Sequence, residues 1–112
     1  MAGELEICVK ELNSDKETYM TLPRSMGEIY DDLDRCKIFD EYAVYITESN
    51  DIPELMDCRF TIPPTLDEIC LLAERLVEIC KEEEMMYAYR ALMRTPTTDI
   101  YEAINRTYGL EG

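Results

Sequence analysis

The chain is 112 residues long and 46% hydrophobic, and it carries 25 acidic against 11 basic residues, for a formal net charge of −14. That length suits one compact domain or two very small ones packed together, and the apolar share is enough to build a core. The charge argues against binding a nucleic-acid backbone, where Lys and Arg must displace counterions, and against anionic membrane surfaces; basic partners fit it better.

Leu5 to Leu12 reads as a half-buried strand, Asn13 to Lys16 as a turn, and Thr18 to Leu22 as an antiparallel return that Pro23 stops. Ser25 with Glu28 three residues on forms a capping box. Met26, Ile29, Tyr30 and Leu33 then recur as one apolar stripe, with Glu28, Asp31, Asp32 and Asp34 mostly off it. Tyr42 to Thr47, aromatic and β-branched, reads as a strand. Glu48 to Asp57 is an acidic loop around Pro53, and Cys58 to Ile62 suits a short fourth strand ended by Pro63 and Pro64.

Thr65 and Glu68 form a second capping box, and the helix behind it is the clearest element in the sequence. Leu66, Ile69, Cys70, Ala73, Leu76, Val77 and Cys80 fall at helical spacing, while Asp67, Glu74 and Glu78 run down another face. Lys81 to Glu84 is a junction whose acids favour the N-terminus of a further helix, Glu83 to Arg94, closed by Arg90 and Arg94 and broken at Thr95 and Pro96. A last short helix, Thr98 to Thr107, stops before Gly109. The order predicts an α+β fold: a small antiparallel sheet with one helix, followed by a three-helix C-terminal part. A soft boundary at Pro63 and Pro64 divides an acidic β-β-α-β domain, 1–62, from a helical domain, 63–112.

The charge is unevenly spread. Residues 85–112 balance Asp99, Glu102 and Glu111 against Arg90, Arg94 and Arg106, so the whole −14 sits in residues 1–84. The neutral stretch holds four of the eight tyrosines. Five cysteines, Cys8, Cys36, Cys58, Cys70 and Cys80, are odd in number and form no C-x-x-C pair, which favours reduced thiols and a cytoplasmic setting. Cys8, Cys70 and Cys80 fall on apolar faces and are expected to pack as small hydrophobes. The N-terminus lacks the basic start and apolar run of a signal peptide, and no apolar stretch approaches membrane-spanning length.

The inventory of chemistry is short. With no histidine, the commonest general base and metal ligand are missing, and Ser-His-Asp or Cys-His arrangements are excluded. The four glycines are isolated, so there is no phosphate loop. Asp31, Asp32 and Asp34 lack the spacing and turn glycine of a calcium loop and fall inside a predicted helix. Any acidic protein offers carboxylate pairs of the kind glycosidases use, but a small chain with a core to fill has little room for a substrate cleft. We therefore expect no cofactor, no metal and no catalysis.

For an ordinary helix, a run of acids is a solvated face. Here the excess is large, confined to residues 1–84, and continuous across helix, loop and helix. Carboxylates once per turn stand about 5.4 Å apart, and DNA presents a phosphate about every 3.4 Å along each strand. A rigid acidic face can therefore imitate a phosphate backbone.

The order of elements carries a resemblance. Leu5 to Val9, then Tyr19 to Pro23 ahead of an acidic helix, then Tyr42 to Glu48, and best of all Thr65 to Leu76, with the helical stretch to Arg106, resemble the ArdA antirestriction family. The likeness lies in order, spacing and acidity rather than one diagnostic motif, and Tyr19 stands where family members usually carry Trp. It covers most of the chain but only the first two of the family's three segments; the C-terminal segment that makes the family's dimer has no counterpart. The resemblance implies an elongated acidic protein that occupies the DNA-binding groove of a type I restriction-modification enzyme, without chemistry and without itself binding nucleic acid or membrane. It also implies a shorter DNA imitation, as a monomer or weak homodimer. Glu28, Asp31, Asp32, Asp34, Glu48, Asp51, Glu54, Asp67, Glu74 and Glu78 would stand in for phosphates. Self-association is expected through Tyr87, Tyr89, Tyr101 and Tyr108, unless these complete the helical core. The alternative function is an acidic adaptor or regulatory protein that binds a protein partner through this C-terminal aromatic face.

Overall fold

A computed structural model describes residues 2–39 and 41–110. Glu111, one of the acids counted above, lies outside them. The elements are β1 (Leu5–Glu11), β2 (Glu17–Leu22), α1 (Met26–Arg35), β3 (Tyr42–Glu48), a 3-10 helix (Pro53–Asp57), α2 (Leu66–Cys80), α3 (Glu83–Met93) and α4 (Ile100–Asn105). The fold is α+β, as the pattern predicts.

The sheet has the order β2-β1-β3, with both pairings antiparallel. Ile7 lies between Met20 and Ile46, and Val9 lies opposite Val44. Side chains alternate along a strand, so this register gathers Leu5, Ile7, Val9, Met20, Leu22 and Val44 on one face. These residues are buried, and α1 (Ile29, Leu33) and α2 (Leu66, Ile69, Leu72, Leu76) join the same apolar cluster. That cluster continues through Tyr89, Met93, Ile100 and Ile104, so it draws on both sides of residue 62. Cys8 points to the opposite face of the sheet, between Tyr19 and Tyr45, and is buried there rather than in the main cluster. Cys70 and Cys80 pack against that cluster, and all five cysteines are free.

Local chemistry sets the helix ends. The Thr65 hydroxyl accepts from the Glu68 N–H at 3.2 Å while the Glu68 carboxylate accepts from the Thr65 N–H at 2.8 Å, a complete capping box. Ser25 accepts from the Glu28 N–H at 3.2 Å, but the Glu28 carboxylate returns to the Ser25 hydroxyl instead of the backbone. At the far end of α1, Lys37 takes a left-handed φ of 58°. The Ile38 N–H then donates to the Leu33 carbonyl at 2.9 Å and drops Ile38 into the core.

Three elements differ from the sequence expectation. Cys58 to Ile62 does not join the sheet. The Thr61 N–H donates to the Thr98 carbonyl at 3.0 Å, which ties the segment to the approach to α4 instead of to β3. The acidic loop is also less irregular than expected, because Pro53 starts a 3-10 turn that buries Leu55. The last helix is shorter than Thr98 to Thr107, since Asp99 caps it by accepting from the Tyr101 N–H at 2.9 Å.

The molecule measures 45 × 27 × 19 Å along its principal axes. Among the described residues, no helix is long and apolar enough to cross a membrane.

Candidate functional site

The ten carboxylates expected to imitate phosphates divide into three groups. Asp31 and Asp34 on α1, Glu48 at the end of β3, and Asp67 and Glu74 on α2 are exposed, and none is in an ion pair with a described residue. Glu28 and Glu78 are exposed but have neighbours of opposite charge, Arg24 at 3.4 Å and Lys81 at 2.9 Å. Asp32, Asp51 and Glu54 are committed to the fold.

Asp32 sits between two guanidinium groups. Arg24 bonds one carboxylate oxygen and Arg35 the other at 2.6 Å, and the side chain is only 13% exposed. The Arg24 hydrogen bond holds its carboxyl below the usual aspartate range. Arg24, Glu28, Asp32 and Arg35 thus form a locally neutral network. Asp51 accepts the Gly3 N–H at 2.7 Å. Glu54 receives the Arg90 Nε on both oxygens, at 3.0 and 3.2 Å. Burial pushes the Glu54 carboxyl up, but the Arg90 bond and a backbone contact outweigh it and hold it low. Asp32 and Glu54 are thus already paired with Arg24, Arg35 and Arg90, whereas Asp51 accepts a neutral N–H and keeps its charge.

Two of the exposed carboxylates, Asp67 and Glu74, border a seam between α2 and α1. The Cys70 thiol of α2 lies 3.9 Å from the Met26 Sδ of α1, and burial, then Asp67, then Glu74 push that thiol up. Burial raises the Tyr42 hydroxyl, with Tyr30 of α1 and Asp67 of α2 adding to the effect. Asp67 and Glu74 of α2 therefore flank its contact with α1. Along α2, the seven-residue step from Asp67 to Glu74 is about 10 Å of helix rise, close to three phosphate steps at about 3.4 Å each.

Sequence reasoning missed Glu82, Glu83 and Glu84. All are exposed, and none is in an ion pair with a described residue. The run of three was visible, but its place at the start of α3 made it read as helix capping.

The C-terminal tyrosines do not act together. Tyr89 is fully buried and donates its hydroxyl to the Ala103 carbonyl at 2.8 Å, so its expected part in self-association is corrected to a core role. Tyr87, Tyr101 and Tyr108 are 52%, 60% and 53% exposed. Each leans on a different charged group: Tyr87 on Arg90 at 5.9 Å, Tyr101 on the Glu68 carboxylate, and Tyr108 under Arg75 at 4.1 Å.

Among the described residues, no group of three or more His, Cys, Asp or Glu side chains is placed to hold a metal ion. Comparison with protein-family models, with curated proteins and with solved structures finds no match.

Proposed function

We propose that the protein is a DNA-mimic inhibitor of a type I restriction-modification enzyme. On this reading it offers carboxylates where the enzyme's basic groove expects phosphates. The observation that carries the reading is the set of exposed acids on α1, β3 and α2 (Asp31, Asp34, Glu48, Asp67 and Glu74), none in an ion pair with a described residue, on a body 45 Å in its longest dimension. That length matches roughly a dozen phosphates of one strand at about 3.4 Å each. The charge of −14 supplies long-range attraction to a basic groove.

The test is competition. A type I methyltransferase core is bound to labelled specific DNA, the protein is titrated in, and the titration is repeated at two salt concentrations. Displacement that weakens steeply with salt supports the mimic. Displacement insensitive to salt, or none at large excess, overturns it. The adaptor reading draws on the exposure of Tyr87, Tyr101 and Tyr108, but their ties to Arg90, Glu68 and Arg75 spread them over different parts of the helical layer. It predicts that Tyr101→Ala weakens partner capture more than reversal of Asp31 and Asp34 does.

A further inference from the structure

Alternation along the strands gives the sheet a second face, opposite the apolar cluster. It carries Glu6, Cys8 and Lys10 of β1, Tyr19 of β2 and Tyr45 of β3, and none of these belongs to that cluster. A sheet packed on one side usually presents polar residues on the other. Two rows across this face conform, since Glu6 lies opposite Thr21 and Lys10 opposite Glu17. The row between them does not. There Cys8 lies opposite Tyr19 on one side and Tyr45 on the other. Cys8 is 6% exposed, whereas Tyr19 and Tyr45 are 57% and 52% exposed. Neighbouring strands stand about 4.8 Å apart, so the two tyrosines rise from points about 10 Å apart. The row is a buried thiol between two accessible rings.

Carboxylates flank it. Glu17 accepts the Cys8 thiol at 3.8 Å, and its charge raises the Tyr19 hydroxyl. Glu6 accepts the Thr47 hydroxyl at 2.9 Å. Neither acid is in an ion pair with a described residue. Lys10, the only cation in the three strands, is in no such pair either.

We infer that this face receives an arginine side chain of a partner protein, its guanidinium laid against Tyr19 and Tyr45 above Cys8 and paired with Glu17. The face of an aromatic ring attracts a cation within about 6 Å of its centroid, and arginine supplies that cation most often. A planar guanidinium stacks on a ring while its edge donates to a carboxylate; the ammonium of lysine is compact and strongly hydrated and does not. Charge selects the occupant, because the acids beside the row and the net charge of −14 repel a phosphate or a carboxylate. A second copy is the wrong occupant. Two of these faces laid together would gather Glu6 and Glu17 of both copies in one interface, with Lys10 alone on each side to offset them. The inference stands apart from the DNA-mimic reading, whose carboxylates lie on α1, on α2 and at the end of β3.

The probe is a fluorescein-labelled peptide of alternating arginine and serine, titrated with the full chain and read by anisotropy. Saturable binding is expected, at least about tenfold tighter than for a lysine–serine peptide of equal charge. Backbone amide shifts during the titration should centre on Cys8, Tyr19 and Tyr45. Tyr19→Thr combined with Tyr45→Thr should weaken binding about tenfold, and Tyr19→Phe combined with Tyr45→Phe, which keeps both rings, should not. Glu17→Gln should weaken it, while Asp31→Asn, the same loss of charge on α1, should leave it unchanged. Should the threonine pair fail to fold, the amide shifts and the contrast between Glu17→Gln and Asp31→Asn decide the matter. Four results would overturn the inference. The lysine peptide could bind as tightly; a folded threonine pair could bind as tightly as the parent; Asp31→Asn could weaken binding as much as Glu17→Gln; or the amides of Tyr19 and Tyr45 could shift with protein concentration alone, which would make a second copy the occupant.

Discussion

A Cβ on Gly3 would lie 2.7 Å from the carbonyl oxygen of Leu76. Gly3 holds a left-handed φ of 89°, and its N–H donates to the Asp51 carboxylate at 2.7 Å. The start of the chain is thereby clamped between the middle of α2 and the loop after β3. Gly3→Ala meets a steric and a conformational penalty together and is expected to cost about 2 kcal/mol. A lower urea midpoint at unchanged slope is the readout.

Charge reversal separates the two kinds of carboxylate. Asp31→Lys, Asp34→Lys and Glu74→Lys change exposed, unpaired positions, and each should stay within about 0.5 kcal/mol of the parent while reducing displacement of DNA in the competition assay. Asp32→Lys gathers three cations where Arg24 and Arg35 share one anion, and it should lower the melting temperature clearly. Circular dichroism melts of the four variants check this. Equal melting of Asp32→Lys and Asp31→Lys would show that the Asp32 network contributes nothing.

The Glu54–Arg90 pair sets a pH dependence with a definite sign. The Glu54 carboxyl is held below its usual value in the folded chain. Its contribution is therefore complete above the unfolded glutamate value, near about 4.3, and fades as pH falls through the lower folded value. Glu54→Gln should unfold more easily than the parent at neutral pH, and the two denaturation curves should converge in acid. A difference that grew as pH fell would contradict the assignment.

Lys37 offers a change in the other direction. It caps α1 in a conformation that costs an L-residue free energy. Lys37→Gly relieves that cost, offset in part by the freer unfolded chain, and should stabilise the protein by about 0.5 to 1 kcal/mol. The Lys16 ammonium bonds the residue 37 carbonyl, a contact that glycine keeps. Thermal melts of the variant measure the gain.

Local signals were the readable ones. Thr65 with Glu68, and Ser25 with Glu28, announce helix starts because the capping bonds span three residues. The two-residue period of Leu5, Ile7 and Val9 identifies the inner face of β1. Cys58 to Ile62 has strand composition, yet its fate depended on Thr98 (a partner far along the chain), and composition cannot report such a competition. The same reason hid the fates of Glu54 and Tyr89, whose partners lie 36 and 14 residues away. Arg90 lies 36 residues from Glu54, and whether an acid is free for a partner depends on such distant cations. The acidic character of α1 and α2 was legible, but which acids remain unspent was not.

The Gly3 clamp and the central place of β1 have a consequence for synthesis. The inner face of the sheet, with Leu5, Ile7 and Val9, is complete only when Leu72, Leu76 and Ile79 of α2 are in place. A ribosome adds roughly 5–20 residues per second, so the first strand leaves the exit tunnel seconds before its cover exists. The acids spread through the intervening chain would hold such half-made copies apart by mutual repulsion until the cover arrives.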